Sequence, residues 1–304
     1  LSLRDALPIY RKGTLYFHHN TLVSTRTDRT TLFRLSTNDE SCDCRNNLIY
    51  VSAAGNTLSL LDDTGRLNLT HNWLKPGWVQ SFGGTSGTIT NDGSNLTGIA
   101  PGFLHEASQN FRLATNSACL EAGTALPPAA MPGHAALRQY VKHQIEESRR
   151  QDPRPDLGAY EFSPYHAWRL NRFGPDYERS PAAMDSADPD GDGIANLVEY
   201  AFDLDPNRAS RQGLPSALLY STNGHSYLAI QFHRRLQPSE LTYLVQSSTN
   251  LLAWQDGASW SDHAATPETQ STTTLLAGTN TVVRLNTPLS GPPQAYLRVR
   301  VFRD

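Results

Sequence analysis

Three short segments of this chain are variants of one another and constrain its fold more than any other feature. They are LYFHHNTLV (15–23), CDCRNNLIY (42–50) and LNLTHNWLK (67–75). Their asparagines Asn20, Asn47 and Asn72 are separated by 27 and then 25 residues. Ahead of each asparagine the sequence alternates, placing Leu15/Phe17, Cys42/Cys44 and Leu67/Leu69 on one face of a strand. A second strand repeats in phase, TTLFRL (30–35) against NTLSLL (56–61). A period in the twenties with several short strands per lap is the mark of a solenoid, because each lap buries its apolar face only against its neighbours. The pattern predicts an all-β right-handed parallel β-helix. Its inward side chains stack from coil to coil, and the asparagines form a hydrogen-bonded column at a tight bend where a left-handed residue is wanted. Cys42 and Cys44 then stand in the core stack as small hydrophobes. Three cysteines, odd and sparse, do not make a disulfide framework.

The stretches GFLHEASQNFRLATNSACLEAGT (102–124) and PDLGAYEF (155–162) resemble the closing coils of bacterial β-helix proteins of the pectate-lyase-like superfamily. The likeness covers about residues 13–162. It implies the fold and leaves activity open, since that superfamily holds lyases, hydrolases, epimerases and non-catalytic proteins. Between these stretches, HAALRQYVKHQIEESRR (134–150) carries Leu137, Val141 and Ile145 at helical spacing and is expected to form a short covering helix. The first residues, LSLRDALPIY, resemble a translated sequencing-adapter remnant. Residues 1–12 are therefore set aside as an artefact or disordered start, and the chain is read as the C-terminal part of a longer protein.

Residues 188–199 read DPDGDGIANLVE. A twelve-residue calcium loop takes oxygen ligands at positions 1, 3, 5, 7, 9 and 12 and needs glycine at position 6. Here these are Asp188, Asp190, Asp192, the carbonyl of Ile194, Asn196 and Glu199, with Gly193 at the turn. A sensor would need a helix on each side, and ERSPAAMDSA upstream has no helical periodicity. A dockerin would need a second loop, but DLDPNRASRQGL has Arg208 in place of the glycine and Leu214 in place of the bidentate acid. The stretch is similar to the single aspartate-rich loops, akin to thrombospondin type 3 repeats, that join modules of secreted bacterial proteins. A structural Ca2+ is expected, with Asp203 and Asp205 as further oxygen donors. Such a site fills without further control at extracellular calcium concentrations, so the expected location is extracellular or at the cell surface.

From about Leu214 the strands YLAIQFHR, LTYLVQSS, NTVVRLN and AYLRVRVF alternate without helical period. They predict a small antiparallel β-sandwich. The expected division is thus 13–162 β-helix, 163–213 calcium-loop linker and 214–304 sandwich. The last module resembles those that follow acidic loops in large secreted bacterial proteins, where sugar binding and surface attachment are the expected roles. Trp254 and Trp260 are candidates for a sugar-stacking platform, or for core residues. Arg298 and Arg300 read as a solvated strand face.

A net charge of −3 gives no basis for nucleic-acid binding. No apolar run reaches the length of about 20 residues that crosses a bilayer. The expected partner is polysaccharide, degraded by a uronate lyase or glycoside hydrolase or bound by a non-catalytic adhesin. Outward basic candidates for lyase chemistry are His18, Arg26, Arg34, Arg45 and Lys75. For a hydrolase the one acidic grouping is Asp62–Asp63 beside Asp39–Glu40. None of these forms a recognisable constellation in sequence, and a centre in upstream coils would lie outside this chain.

Overall fold

The computed structural model describes residues 12–53, 55, 57–142, 145–236, 240–262, 264–289 and 295–303. The adapter-like start lies outside them, apart from Lys12. The chain is all-β, 10% helical and 42% strand. It divides into two compact units, 1–162 and 163–304. No helix among the described residues is long and apolar enough to cross a membrane.

The first unit is a parallel β-solenoid of about three turns. Its first coil holds β1 (Gly13–His18), β2 (Thr21–Ser24) and β3 (Arg29–Leu35), and the second holds β4 (Glu40–Arg45), β5 (Leu48–Val51) and β6 (Thr57–Asp63). The third begins with β7 (Arg66–Thr70) and β8 (Trp73–Leu74), and β9 (Thr88–Asn91) and β10 (Leu96–Thr97) open a further lap. The sheets run β1-β4-β7-β9, β2-β5-β8-β10 and β3-β6, all parallel. Register follows the sequence repeat: Leu15 pairs Cys42, Phe17 pairs Cys44, and Cys42 and Cys44 pair Leu67 and Leu69. In the third sheet Thr30 sits opposite Leu58, two residues on from the sequence alignment, because hydrogen bonding sets Arg29 beside Thr57.

Cys42, Cys44, Leu58, Leu60, Leu61 and Leu67 are fully buried in one core cluster. Each leucine removed from water there stabilises the coil by about 1.5–3 kcal/mol. Burial pushes the Cys42 and Cys119 thiols up to about 12, and Cys44 well above its ordinary value. All three cysteines are free.

The asparagine column is present and longer than expected. Asn20 Nδ2 donates to Asn47 Oδ1, Asn47 Nδ2 to Asn72 Oδ1, and Asn72 Nδ2 to Asn95 Oδ1, at 3.0, 3.0 and 2.8 Å. The left-handed residues are those immediately before the column: His19, Asn46 and His71, with φ of 52°, 55° and 48°. The bend is thus divided between two neighbouring residues, one turning the backbone and the next satisfying it.

Residues 102–124 and 155–162 cover the outside of the second sheet and do not add parallel coils. β11 (Phe103–His105) and β12 (Asn110–Leu113) form an antiparallel pair. Leu113, Cys119 and Leu157 pack with Leu48, Tyr50 and Trp73 in a second cluster. For this reason β5 is buried on both faces, as its unbroken apolar run LIYV requires. The returning segment is laced to the coils through Leu157 N–H to Cys119 O, Gly158 N–H to Asn46 O and Ala159 N–H to Thr21 Oγ1. Gly158 has φ +97°, and a Cβ there would meet Thr21 Oγ1 at 2.6 Å. Only glycine fits.

The helix expected over 134–150 is not formed. The segment makes an antiparallel hairpin, β13 (Arg138–Val141) with β14 (Ile145–Ser148). Leu137 and Ile145, the proposed apolar face, are 57% and 61% exposed. The inward residues are polar and alternate: Gln139 Nε2 and Arg112 both donate to Glu147 Oε1, and Gln139 Oε1 accepts the Glu161 N–H. A buried polar network that needs period-two presentation overrode a weak helical pattern.

The second unit opens with α1 (Pro164–Phe173), capped by Ser163 Oγ accepting from His166 N–H. Helix α2 is Asn196–Phe202. The sandwich has strands β15 (Ser216–Thr222), β16 (His225–His233), β17 (Leu241–Ser248), β18 (Gln255–Trp260), β19 (Ala265–Thr266), β20 (Thr272–Leu276), β21 (Asn280–Leu285) and β22 (Tyr296–Arg303). They form two antiparallel sheets, β15-β16-β21-β20 and β19-β18-β17-β22. Ile230, Phe232 and Val283 of one sheet share a core with Tyr243, Val245 and Trp260 of the other and with Tyr165, Trp168, Tyr200 and Phe202 of the helices. Residues 163–213 therefore contribute helices to the core of the sandwich.

Candidate functional site

The acidic loop lies between two 3-10 turns (Tyr177–Arg179 and Pro181–Ala183) and α2. The aspartates shape it by accepting local amides. Asp188 takes the N–H groups of Gly191 and Gly193, Asp190 that of Asp192, and Asp192 that of Ile194, at 2.8–3.2 Å. This is the Asx-turn chemistry for which aspartate and glycine are suited. As a result one ligand atom from each of Asp188, Asp190 and Asp192 lies within 4.8 Å of the others.

The far wall comes from α2. The amides of its first turn are satisfied by backbone carbonyls: Asn196 N–H by Ala187 O and Leu197 N–H by Asp185 O. Asn196 is fully buried, and its Nδ2 donates to Ala182 O and Met184 O, both at 2.8 Å. Its Oδ1 has no hydrogen-bond partner. Glu199 is 1% exposed, and neither of its carboxylate oxygens has a partner. Asp190 Oδ2 is likewise buried without one. Burial, with Asp190, Asp192 and Asp188 close by, pushes the Glu199 carboxyl up to about 7. Buried polar atoms are normally hydrogen-bonded, and four orphan oxygens from Asp190, Asn196 and Glu199 are a costly arrangement for a site with no cation. Hard oxygen donors in this number suit calcium better than a soft transition metal.

Asp203 and Asp205 are engaged elsewhere. Asp203 accepts from Arg235, and Asp205 pairs with Arg172 at 3.0 Å. The same Arg235 donates through Nε to Tyr200 O, and Tyr243 Oη donates to Ala201 O at 2.7 Å. Helix α2, the loop's rigid side, is thereby fastened to the sandwich. From beyond the loop, Ser210 N–H donates to Asp192 Oδ2 and Arg211 Nη2 to Asp192 O.

The other candidates do not converge. Arg26 pairs with Asp28, and Arg45 with Asp43, each in a fork of two bonds. Arg34 reaches Asp63 at 3.3 Å and Asp62 at 3.9 Å, and Lys75 Nζ donates to Ala53 O. Asp62 accepts from Ser81 and Thr31. Glu40 accepts the amides of Ser36 and Thr37. His18 Nδ1 lies 3.2 Å from His19 Nδ1, and His19 Nε2 accepts from Asn46 Nδ2. Burial pushes His19 down to about 3. The Trp254–Trp260 platform is not formed: Trp260 is 4% exposed in the core, where its apolar ring is drawn. Trp254 stacks instead under Arg298, whose Cζ is 3.9 Å from the ring centre. Arg298 also donates to Gln246 Oε1, so it is held in place, while Arg300 is exposed.

Among the residues found by structure alone is Asn95, fourth in the column. A signal existed in its spacing of 23 residues from Asn72. Another is the buried pair of Arg149 and Glu161, 2.5 Å apart, which closes the covering segment. Compared with known protein families, curated proteins and solved structures, the chain matches none.

Proposed function

We propose that this chain is a calcium-stapled, exported β-solenoid protein that binds or degrades polysaccharide. In this reading Asp188, Asp190, Asp192, the Ile194 carbonyl, Asn196 and Glu199 hold a structural Ca2+. The observation that carries it is Glu199, a buried carboxylate with two unpartnered oxygens that lies outside the 4.8 Å grouping of Asp188, Asp190 and Asp192 but feels their charge. A divalent cation would satisfy those oxygens and offset the mutual repulsion, fixing α2 relative to the loop. A site built around one short helix has no second lever arm to move, so its role is rigidity and not signalling. Calcium is abundant outside cells, which supports an extracellular or cell-surface location.

The polysaccharide reading rests on the solenoid and its likeness to pectate-lyase-like proteins. Within this stretch Arg26, Arg34 and Arg45 are bound into local ion pairs and Lys75 donates to the Ala53 carbonyl, an observation that favours binding over catalysis here. A non-catalytic adhesin is accordingly the second reading. Two measurements test the proposal. Thermal melts with Ca2+ against a chelator should differ by several degrees, and equal melting temperatures would remove the staple. Assay of the chain on uronic-acid polymers, followed by the absorbance of the new double bond, separates lyase from adhesin. Absence of both turnover and glycan binding would end the polysaccharide reading.

A further inference from the structure

We infer that the sandwich carries a binding cleft for an uncharged stretch of glycan, located between the ends of its two sheets. This inference rests on the polysaccharide reading above and deepens it. The cleft has a volume of about 470 Å³, within the range of small-molecule sites. One wall is the end of β17 and the start of β18, with Ser247, Thr249 and Gln255. The other is the segment before β20 and the end of β21, with Gln270, Leu285 and Thr287.

Three features give the cleft its chemistry. Among the described residues no charged side chain lines it. The side chains of Ser247, Thr249, Gln255, Gln270 and Thr287 make no hydrogen bond among the described residues, so donors and acceptors of both kinds face the space. Hydroxyl and carboxamide groups each donate and accept, as sugar hydroxyls do. Leu285, Pro288 and Ala253 add apolar surface beside them, suited to the C–H faces of a pyranose ring. A uronate would bring a carboxylate into a space with no cation to pair it, at a desolvation cost.

The walls are also held in place. Asn286 N–H donates to Ser271 O, Leu289 N–H to Ser226 O, and Ser271 Oγ to Asp256 O. Asn250 Oδ1 accepts the amides of Leu252 and Ala253 and fixes the turn at the rim. A rigid rim lowers the ordering cost of binding.

The test is calorimetric titration of the full chain with neutral glucan, mannan and galactan oligosaccharides, with oligogalacturonate as the anionic comparison. The variants are Gln255→Ala/Gln270→Ala and the filling substitution Thr287→Trp, each checked for an unchanged melting temperature. At least one neutral oligosaccharide should bind, and the double variant should bind about tenfold more weakly, from the loss of two neutral hydrogen-bonding groups. If Thr287→Trp unfolds the sandwich, the alanine pair decides alone. Neutral binding unchanged in the variants would overturn the cleft and leave the polysaccharide reading standing. Binding of oligogalacturonate alone would overturn the uncharged class. No binding of any glycan would overturn the cleft, and together with absent turnover it would overturn the polysaccharide reading as well.

Discussion

Asn47 Oδ1 accepts two hydrogen bonds from Asn20, one from its backbone N–H at 2.9 Å and one from its side-chain amide at 3.0 Å. Asn47 passes the same pair of donors on to Asn72, and also gives Nδ2 to Phe17 O. One buried side chain therefore satisfies two backbone groups of the preceding coil, Asn20 N–H and Phe17 O. Asn47→Ala should cost about 2–4 kcal/mol, since several buried groups lose their partners together. Asn20→Ala, at the partly exposed end of the column, should cost less than half as much. Urea denaturation of the two variants checks the order, and equal costs would mean that the column is decorative.

Glu199→Gln should act with opposite sign in two conditions. In chelator it removes a buried carboxylate that has no partner and stands among aspartates, so the sandwich unit should gain about 1–3 kcal/mol. In calcium it removes the bidentate acid, so most of the ion's stabilisation should vanish. For the native chain that stabilisation grows to about 2.7 kcal/mol once calcium exceeds its dissociation constant a hundredfold. Melting curves of both proteins with and without Ca2+ give the four values required. A native-like calcium response in the variant would contradict the ligand set.

His19 supplies a pH prediction for the solenoid. Its folded value of about 3 lies below the ordinary histidine value of 6.5 because burial penalises the charged ring, with Arg149 and His18 adding repulsion. Between those values the unfolded chain binds the proton and the folded chain does not. Stability is therefore lost as pH falls from 6.5 toward 3, with a slope of up to about 1.4 kcal/mol per pH unit from this group. Asn46 occupies the same left-handed place in the next coil. His19→Asn should thus keep the bend and flatten the slope. Chevron or equilibrium unfolding at pH 7, 5 and 4 reads the difference.

Tyr243 Oη donates to Ala201 O and accepts the Arg235 N–H at 3.1 Å. Tyr243→Phe keeps the ring packing and strands both backbone groups, for an expected loss of about 1–3 kcal/mol. Calcium stoichiometry should be unchanged, because the loop oxygens are untouched. Loss of stability with loss of the ion would show that α2 had left its place.

The solenoid was legible because its information is periodic: Leu15, Cys42 and Leu67 recur at the same point of each lap and pair as their spacing requires. The acidic loop was legible because its residue types and turns are local. The hairpin at 138–148 was not, because what selects it is distant in sequence: Arg112 and Glu161 meet Glu147 and Gln139 only after folding. Strand β18 was missed for a similar reason. Its Gly257 is required by Thr272, whose Oγ1 would lie 2.6 Å from an added Cβ, and nothing within QDGASW announces that contact. Helix α1 left readable marks in Ser163, Pro164 and Gly174, the cap, first-turn proline and terminator of a short helix.

The three cysteines carry a consequence for the chain's redox chemistry. Sulfur attacks oxidants and disulfides as thiolate, and side chains whose deprotonation is displaced to about 12, as at Cys42 and Cys119, offer almost none of it near neutrality. Cys44, shifted well upward too, is no different in kind. Such a chain can pass through an oxidising medium with its thiols intact, needing no pairing partner, no isomerase and no exclusion of air.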